Sequence, residues 1–274
     1  MPVLTSHGPV IQAEFSTWRS RAAGYRVSVY LSRGVLVDTA FPAVATEFSR
    51  WLRAVRAQGA VVTHAHEDHA GNLDVVVRQG IPVHASPATL ARARETGMPG
   101  PYRLWTWGRP RGLPAEPIGF LPVGIALLPA PGHSPDHHVA WDAEREHLFG
   151  GDLFVGVRIR LARPDEDPRA AVRSLRAAIE LRPRVLFDAH RGAMHEPVPS
   201  LRARAAWLEE VIGTMDRKMD EGWDDRAIAR AVLGPEELAG YVSLGDMTRL
   251  NFVRAVRRTR PGPPPVPLDI AGNP

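Results

Sequence analysis

Apolar and polar positions alternate at the start of 25–31 (YRVSVYL), and 34–39 (GVLVDT) opens on a short apolar run, so the two stretches read as strands paired across a Ser-Arg-Gly turn. Over 45–58 the apolar spacing becomes helical, and the run stops at Gly59, a residue that ends helices well. A short buried strand is expected at 60–63, an amphipathic stretch at 68–78, another strand at 81–85 and a helix at 88–95. Between 97 and 117 the pattern dissolves into Gly, Pro and Arg around Trp105 and Trp107. Short strands are expected again at 124–129, 138–141 and 147–150, then a helix over 167–181 and a strand over 184–188. Alternating strands and helices with hairpins among them predict an α/β (α+β) chain in which sheets are covered by helices. The segment around His7 is expected to be a loose start.

After Glu196-Pro197-Val198-Pro199 the chain reads as helices only, interrupted near Gly222 and Gly234-Pro235, and it closes on the proline-rich RPGPPPVPLDIAGNP. The expected division is 1–198 for a main domain and 199–274 for a helical extension with its tail. Trp207, Leu208, Val211 and Ile212 stand at helical spacing, as core or as a homodimer contact. The stretch 224–230 (DDRAIAR) reads as a packing helix in preference to a helix-turn-helix unit.

Composition narrows the chemistry. With 44% apolar and 23% charged residues the chain has the make-up of an ordinary globular protein, and 274 residues suffice for a large core. The net charge is +4, and Lys218 is the only lysine, so almost every cation is a permanently charged guanidinium. That balance permits a small anionic ligand or nucleic acid and demands neither. There is no cysteine, which excludes disulfides, thiolate metal sites and a thiol nucleophile. No signal-peptide pattern opens the chain and no apolar run approaches the roughly 20 residues of a membrane span. A cytoplasmic location and no membrane partner are the expectations.

Against that background the stretch THAHEDHAGN (63–72) stands out, because it places three histidines and two carboxylates directly after a buried strand. Without thiolates, imidazole nitrogen and carboxylate oxygen are the ligands on offer for a divalent metal. His64 and His66 are two residues apart, so on an extended segment their rings share a side and can share one ion. Asp68 and His69 follow where the chain turns, and suit a second ion. Further ligand-type residues stand just beyond other strands: His133 in PGHSPDHH, Asp152 in FGGD and His190 in VLFDAH.

The ordered set Asp38, HxHxDH at 64–69, PGH at 131–133, GD at 151–152 and His190 resembles the metallo-β-lactamase-fold hydrolases over about residues 10–198. The resemblance implies a four-layer αββα sandwich with two metal ions at the sheet edge. His64, His66 and His133 would hold the first, Asp68, His69 and His190 the second, with Asp152 bridging them and Asp38 orienting ligands from behind. Zinc is the expected ion, with iron or manganese compatible with the same N/O donors. Such a pair would lower the pKa of a bridging water from 15.7 towards about 7 and deliver hydroxide at neutral pH. Asp68, if protonated, would assist the leaving group. His137 and His195 are expected to support the site from outside the ligand set.

Finer likenesses point to glyoxalase II-like proteins and to lactamase-like proteins with a C-terminal winged-helix-like extension, from the segments 132–138 and 189–195. The favoured activity is cleavage of a small ester or thioester. The alternatives are an endoribonuclease or phosphodiesterase using the same site, a mononuclear iron enzyme of the persulfide dioxygenase type, and a metal-stabilised binding module. Trp105, Trp107 and Arg191 are candidates for touching an anionic substrate, the tryptophans from a lid over 102–111.

Overall fold

The computed structural model describes residues 1–261 apart from Thr96 and Met98. From 262 onward the proline-rich tail lies outside the described residues. The first sheet runs in sequence order through β1 (Val3–His7), β2 (Val10–Phe15), β3 (Val27–Ser32), β4 (Val35–Val37), β5 (Gly59–Val61) and β6 (Val83–His84). The second has the order β11 (Gly192–His195), β10 (Val185–Asp188), β9 (His147–Gly151), β8 (His138–Asp142) and β7 (Ala126–Pro129). β4 and β5 are parallel to each other, as are β9 and β10.

Period-two alternation sorts the side chains into layers. In β4, Val35 and Val37 face one way and Leu36 the other; in β5 and just after it, Val61 faces the first way and Ala60 and Val62 the second. The first set meets Tyr30, Phe149 and Phe187 in a core between the two sheets. The second set meets Phe48, Trp51 and Leu52 of the helix Ala45–Val55 on the outer face of the first sheet. Leu148 and Leu186 point outward from the second sheet and bury Leu175 of the helix Pro168–Glu180 and Leu208 and Met215 of the helix Val198–Asp220. Helix, sheet, sheet, helix is therefore the layer order. The C-terminal helices share the core of the second sheet, since Val253 and Val256 of a last helix (Arg249–Arg258) lie in the same cluster. Leu208, Val211 and Ile212 are core residues of this layer, with half-buried Trp207 packed edge-on to Phe252.

Several sequence expectations need correction. The start is not loose: β1 and β2 form a hairpin, and His7 Nε2 lies 2.8 Å from Gln12 Oε1. The amphipathic stretch expected over 68–78 is helical only from Leu73, because residues 67–72 make turns in which Asn72 Nδ2 donates to the Thr39 and Phe41 carbonyls. The apparently structureless 97–117 contains a helix, Pro101–Trp107, opened by proline in its first turn and closed by Gly108 at φ +87°. A short edge strand, β11, continues the second sheet past His190. Among the described residues no helix is long and apolar enough to cross a membrane.

Candidate metal centre

The strand ends bring the ligand-type residues to one edge of the sandwich. Past β5 the chain stays extended, and the His138 N–H donates to the Thr63 carbonyl at 2.8 Å, which ties the two sheets together at the site. His133 comes from the β7–β8 connection, Asp152 follows β9 and His190 follows β10. Two glycines let these segments approach. Gly132 sits at φ +146°, and a Cβ there would meet the Ala171 backbone at 2.5 Å. Gly151 sits at φ +51°, where a Cβ would lie 2.9 Å from both His137 Nε2 and Thr63 Oγ1. Gly151→Ala is thus expected to destabilise the fold by about 1–3 kcal/mol through strain and overlap. Denaturant unfolding of the metal-free variant measures it.

Two groups of ligand atoms result, each drawn within 4.8 Å: His64, His66, His133 and Asp152, and Asp68, His69, Asp152 and His190. In the first, His64 Nε2 and His133 Nε2 each lie 2.9 Å from His66 Nδ1, and His133 Nε2 lies 3.0 Å from Asp152 Oδ2. In the second, Asp152 Oδ1 is 3.2 Å from both His69 Nε2 and His190 Nε2, and Asp68 Oδ2 is 3.3 Å from His190 Nε2. Asp152 thus turns one oxygen to each group. Tetrahedral donors about 2.0–2.1 Å from a zinc ion stand roughly 3.4 Å apart, close to these separations.

The donor chemistry fits metal as well as the spacing does. Buried Asp68 Oδ1, His69 Nε2 and Asp152 Oδ1 have no hydrogen-bond partner, a costly arrangement for a protein interior unless something else satisfies them. The outer nitrogens of the two histidines of the second group are accounted for. His69 Nδ1 faces Asp38 Oδ2 at 2.8 Å and His190 Nδ1 faces the Arg26 carbonyl at 3.0 Å, which leaves each Nε2 lone pair inward. Asp38, at φ +66° just past β4, also accepts from the Thr63 N–H and hydroxyl. Behind Asp152, His137 Nδ1 bonds the Ala130 carbonyl and its Nε2 accepts the Asp152 N–H at 3.0 Å, so His137 supports a ligand segment. His195 is an exposed residue at the end of β11, outside both groups.

Electrostatics divides the histidines. Burial holds His64 and His66 well below their ordinary pKa, and pushes His137 down to about 3, so these rings stay neutral. Burial works the same way on His69 and His190, but Asp152 and the neighbouring carboxylates outweigh it and raise both well above the ordinary value. Burial would raise Asp68 and Asp152, yet the adjacent imidazoles keep both low. Without metal, protonated His69 and His190 therefore add stability that is complete below about pH 6.5 and fades as pH rises through their elevated values. The melting temperature of metal-free protein is expected to fall as pH rises above about 6.5, and zinc addition at pH 7 to release protons. Calorimetry in buffers of different ionisation enthalpy reads the release.

Beside the centre lies a cavity of about 210 Å³ reached by Asp68, His133, Asp152 and His190. Its polar wall carries Tyr25, Tyr102, Arg163 and Glu166, and its apolar end includes Leu208 and Phe252 from the C-terminal helices and Met247 from the bend before the last of them. Tyr102 falls in the lid expected over 102–111 and Leu208 was read as core or dimer contact, whereas the others are isolated residues far apart in the chain that carry no local pattern. Of the three residues expected at the substrate, Trp107 lines the cavity but is only 4% exposed, packed on Tyr25 and Phe41. Trp105 does not line it; it is 42% exposed and edge-on to Trp18. Two positions on a helix diverge by about 200°, so the helix that replaced the expected loop cannot aim both rings inward. Arg191 is also outside the lining, exposed, with its guanidinium 5.8 Å from the centre of the Phe154 ring.

Similar proteins agree with this architecture. A family model described as the metallo-β-lactamase superfamily matches residues 25–190. The chain belongs to the metallo-β-lactamase superfamily. A β-lactamase-like protein 2 homolog of Caenorhabditis elegans is 28% identical over 136 residues, covering 46% of this chain and 42% of that protein. A metallo-β-lactamase type 2 of Pseudomonas aeruginosa is 29% identical over 123 residues, 42% of this chain and 46% of its own length. The chain thus matches under half the length of these two curated relatives. Among solved structures, a metallo-β-lactamase family protein from Thermus thermophilus superposes with a TM-score of 0.60 at 19% identity, covering 90% of this chain and 91% of that one. A metallo-β-lactamase from Pontibacter korlensis gives 0.56 at 20% identity, over 76% and 99%. At such identities the likeness speaks for the fold.

Proposed function

We propose that the protein is a binuclear metal-dependent hydrolase, with zinc as the favoured ion, acting on a small ester or thioester. The observation that carries this reading is Asp152, whose two oxygens reach into two separate groups of imidazole donors. His64, His66 and His133 would hold one ion and Asp68, His69 and His190 the other. Bound there, the ions would supply hydroxide at neutral pH and polarise the bond to be cleaved.

The chain's own residues complete the chemistry. His64, His66, Asp68, His69 and Asp152 are buried, which strengthens the charge interactions among them, while half-buried His133 and His190 open on the cavity. Asp38 fixes the His69 tautomer and Asp188 Oδ1 fixes the turn that presents His190, accepting the His190 and Arg191 N–H groups at 2.9 Å. Asp68 Oδ1, without a partner, is placed to take up the proton released as the nucleophile attacks and to return it to the leaving group. The cavity of about 210 Å³ falls below the roughly 300–1,000 Å³ of pockets for drug-sized ligands, which favours a small acyl group over a polymer. A cytoplasmic setting and a small-molecule partner go with this reading.

Purified protein loaded with zinc and assayed in parallel on acyl thioesters, acyl esters, lactones and phosphodiesters tests it. Turnover of the acyl substrates, abolished by a chelator and restored by zinc, is the expected result. Turnover of phosphodiesters alone would replace the substrate class, and no turnover on any of them would favour the binding-module reading.

A further inference from the structure

Of the four sheet edges formed by the described strands, three carry a guard against pairing with another chain. β6 is covered by residues 118–119, where the Val83 N–H donates to the Ile118 carbonyl at 2.7 Å. β7 ends on Pro129, which has no N–H to offer, and β11 is four residues long between Arg191 and Glu196. β1 has none of these devices. Its five residues, Val3-Leu4-Thr5-Ser6-His7, include no proline, carboxylate, arginine or lysine, and they pair with β2 in one unbroken register. Four of the five are exposed, Val3 at 63% and Leu4 at 55%. An exposed, uncharged edge of this length is a template for another strand.

The hairpin decides which groups are free on that edge. Gly8-Pro9 is a two-residue turn, so His7 and Val10 close the ladder as a hydrogen-bonded pair. Such pairs alternate along an antiparallel ladder, and the next are Thr5 with Gln12 and Val3 with Glu14. Leu4 and Ser6 therefore turn their N–H and C=O groups away from β2. A second β1 running antiparallel meets this edge in one register that uses the whole strand: Leu4 opposite the partner's Ser6, Thr5 opposite the partner's Thr5, and Val3 opposite the partner's His7. Each outward N–H then finds an outward C=O. The two Thr5 side chains form a close, non-hydrogen-bonded pair on the twofold axis, and threonine favours threonine there.

We propose that β1 pairs with β1 of a second copy of the chain, joining two six-stranded sheets into one continuous sheet. The strand is its own complement, which is why the occupant is a second copy. Charge agrees: the chain carries +4, yet two copies meeting here bring no like charges together, and the Met1 ammonium beside the strand is paired to Glu47 at 3.5 Å. Leu208, Val211 and Ile212, the residues at helical spacing read as core or dimer contact, are spent on the core of the second sheet. Five residues a side fall short of the roughly 20–30 a side of a standard interface, so the dimer is reversible and concentration-dependent.

The chain has no cysteine, so Thr5→Cys introduces a single thiol. The Cα atoms of a non-hydrogen-bonded pair stand about 4.5 Å apart, inside the roughly 4.4–6.8 Å range of disulfides. Mild oxidation is expected to convert this variant to a covalent dimer. Leu121→Cys, at an 82% exposed site beside the opposite edge of the same sheet, is expected to cross-link at least about tenfold more slowly. Sedimentation velocity of the unaltered chain over a wide concentration range is expected to show monomer and dimer in exchange. Thr5→Lys and Thr5→Glu are each expected to weaken the dimer by about three- to tenfold, because each sets like charges opposite one another, and mixing the two variants to restore it. Circular dichroism checks that each variant keeps its fold. Monomer at every concentration, or a dimer indifferent to Thr5→Lys, overturns the proposal. A dimer lost instead on Leu238→Ser with Leu244→Ser, two exposed residues of the C-terminal part, overturns it as well.

Discussion

Asp152→Ala is expected to lower the metal content below one ion per chain and to reduce turnover by on the order of 10³-fold or more, while the fold survives. The reasoning starts from the two carboxylate oxygens. Oδ2 lies 3.0 Å from His133 Nε2 and Oδ1 lies 3.2 Å from His69 Nε2 and His190 Nε2, so one substitution removes a donor from both groups. The backbone N–H of residue 152, bonded to His137, is unaffected by the change. Folding loses the attraction of that carboxylate for protonated His69 and His190, part of the stability of the metal-free protein, and little else that is specific to the side chain. If Asp152 were only an ion-pair partner for protonated histidines, the variant would retain metal and lose stability instead. Elemental analysis beside circular dichroism separates the two outcomes.

Asp38→Ala carries the second large effect, and here stability and metal affinity fall together. The carboxylate is 3% exposed and accepts from the Thr63 N–H at 2.8 Å, from the Thr63 hydroxyl and from His69 Nδ1 at 2.8 Å. Alanine would strand those donors and would leave a non-glycine residue at φ +66° without the side-chain bonds that hold it there. A loss of about 2–5 kcal/mol is expected from two or more orphaned buried donors, with metal affinity in the second group reduced about 10- to 100-fold. Asp38→Asn divides the two consequences. Its amide oxygen can still accept from Thr63, but its NH₂ would face the His69 Nδ1–H and oppose the tautomer that leaves Nε2 free. Near-normal denaturant stability with weakened zinc binding, measured by competition with a chelator, is the expected outcome. Zinc affinity equal to that of the unaltered protein would show that His69 needs no such orientation.

Much of this architecture was legible in the order of residues, for identifiable reasons. The strands around 27–37 and 185–188 announce themselves because a sandwich buries both faces of each sheet, and the helices over 45–55 and 168–180 because one face of each covers that sandwich. The donor set was legible because its residues follow strand ends as short motifs. What escaped did so where burial is one-sided or non-local. β1 has an almost wholly exposed pattern, so its alternation carries no signal, and β11 is a four-residue edge strand paired only with β10. The helix over 101–107 has two turns and is aromatic-rich, with only Pro101 and Gly108 to mark its ends. Arg163 is isolated in sequence between a strand and a helix. Its place in the cavity wall, with Nη1 2.9 Å from His66 Nε2, is set by the fold and leaves no linear pattern.

The central claim is that one strand end, 64–69, serves two ions at once. Metal content by elemental mass spectrometry on gently purified protein, beside an Asp68→Ala variant, tests it most directly. About two zinc ions per chain, falling towards one in the variant, is the expected result. One iron per chain, unchanged in the variant, would contradict the two-metal account and turn attention to oxygen chemistry at the first group of histidines alone.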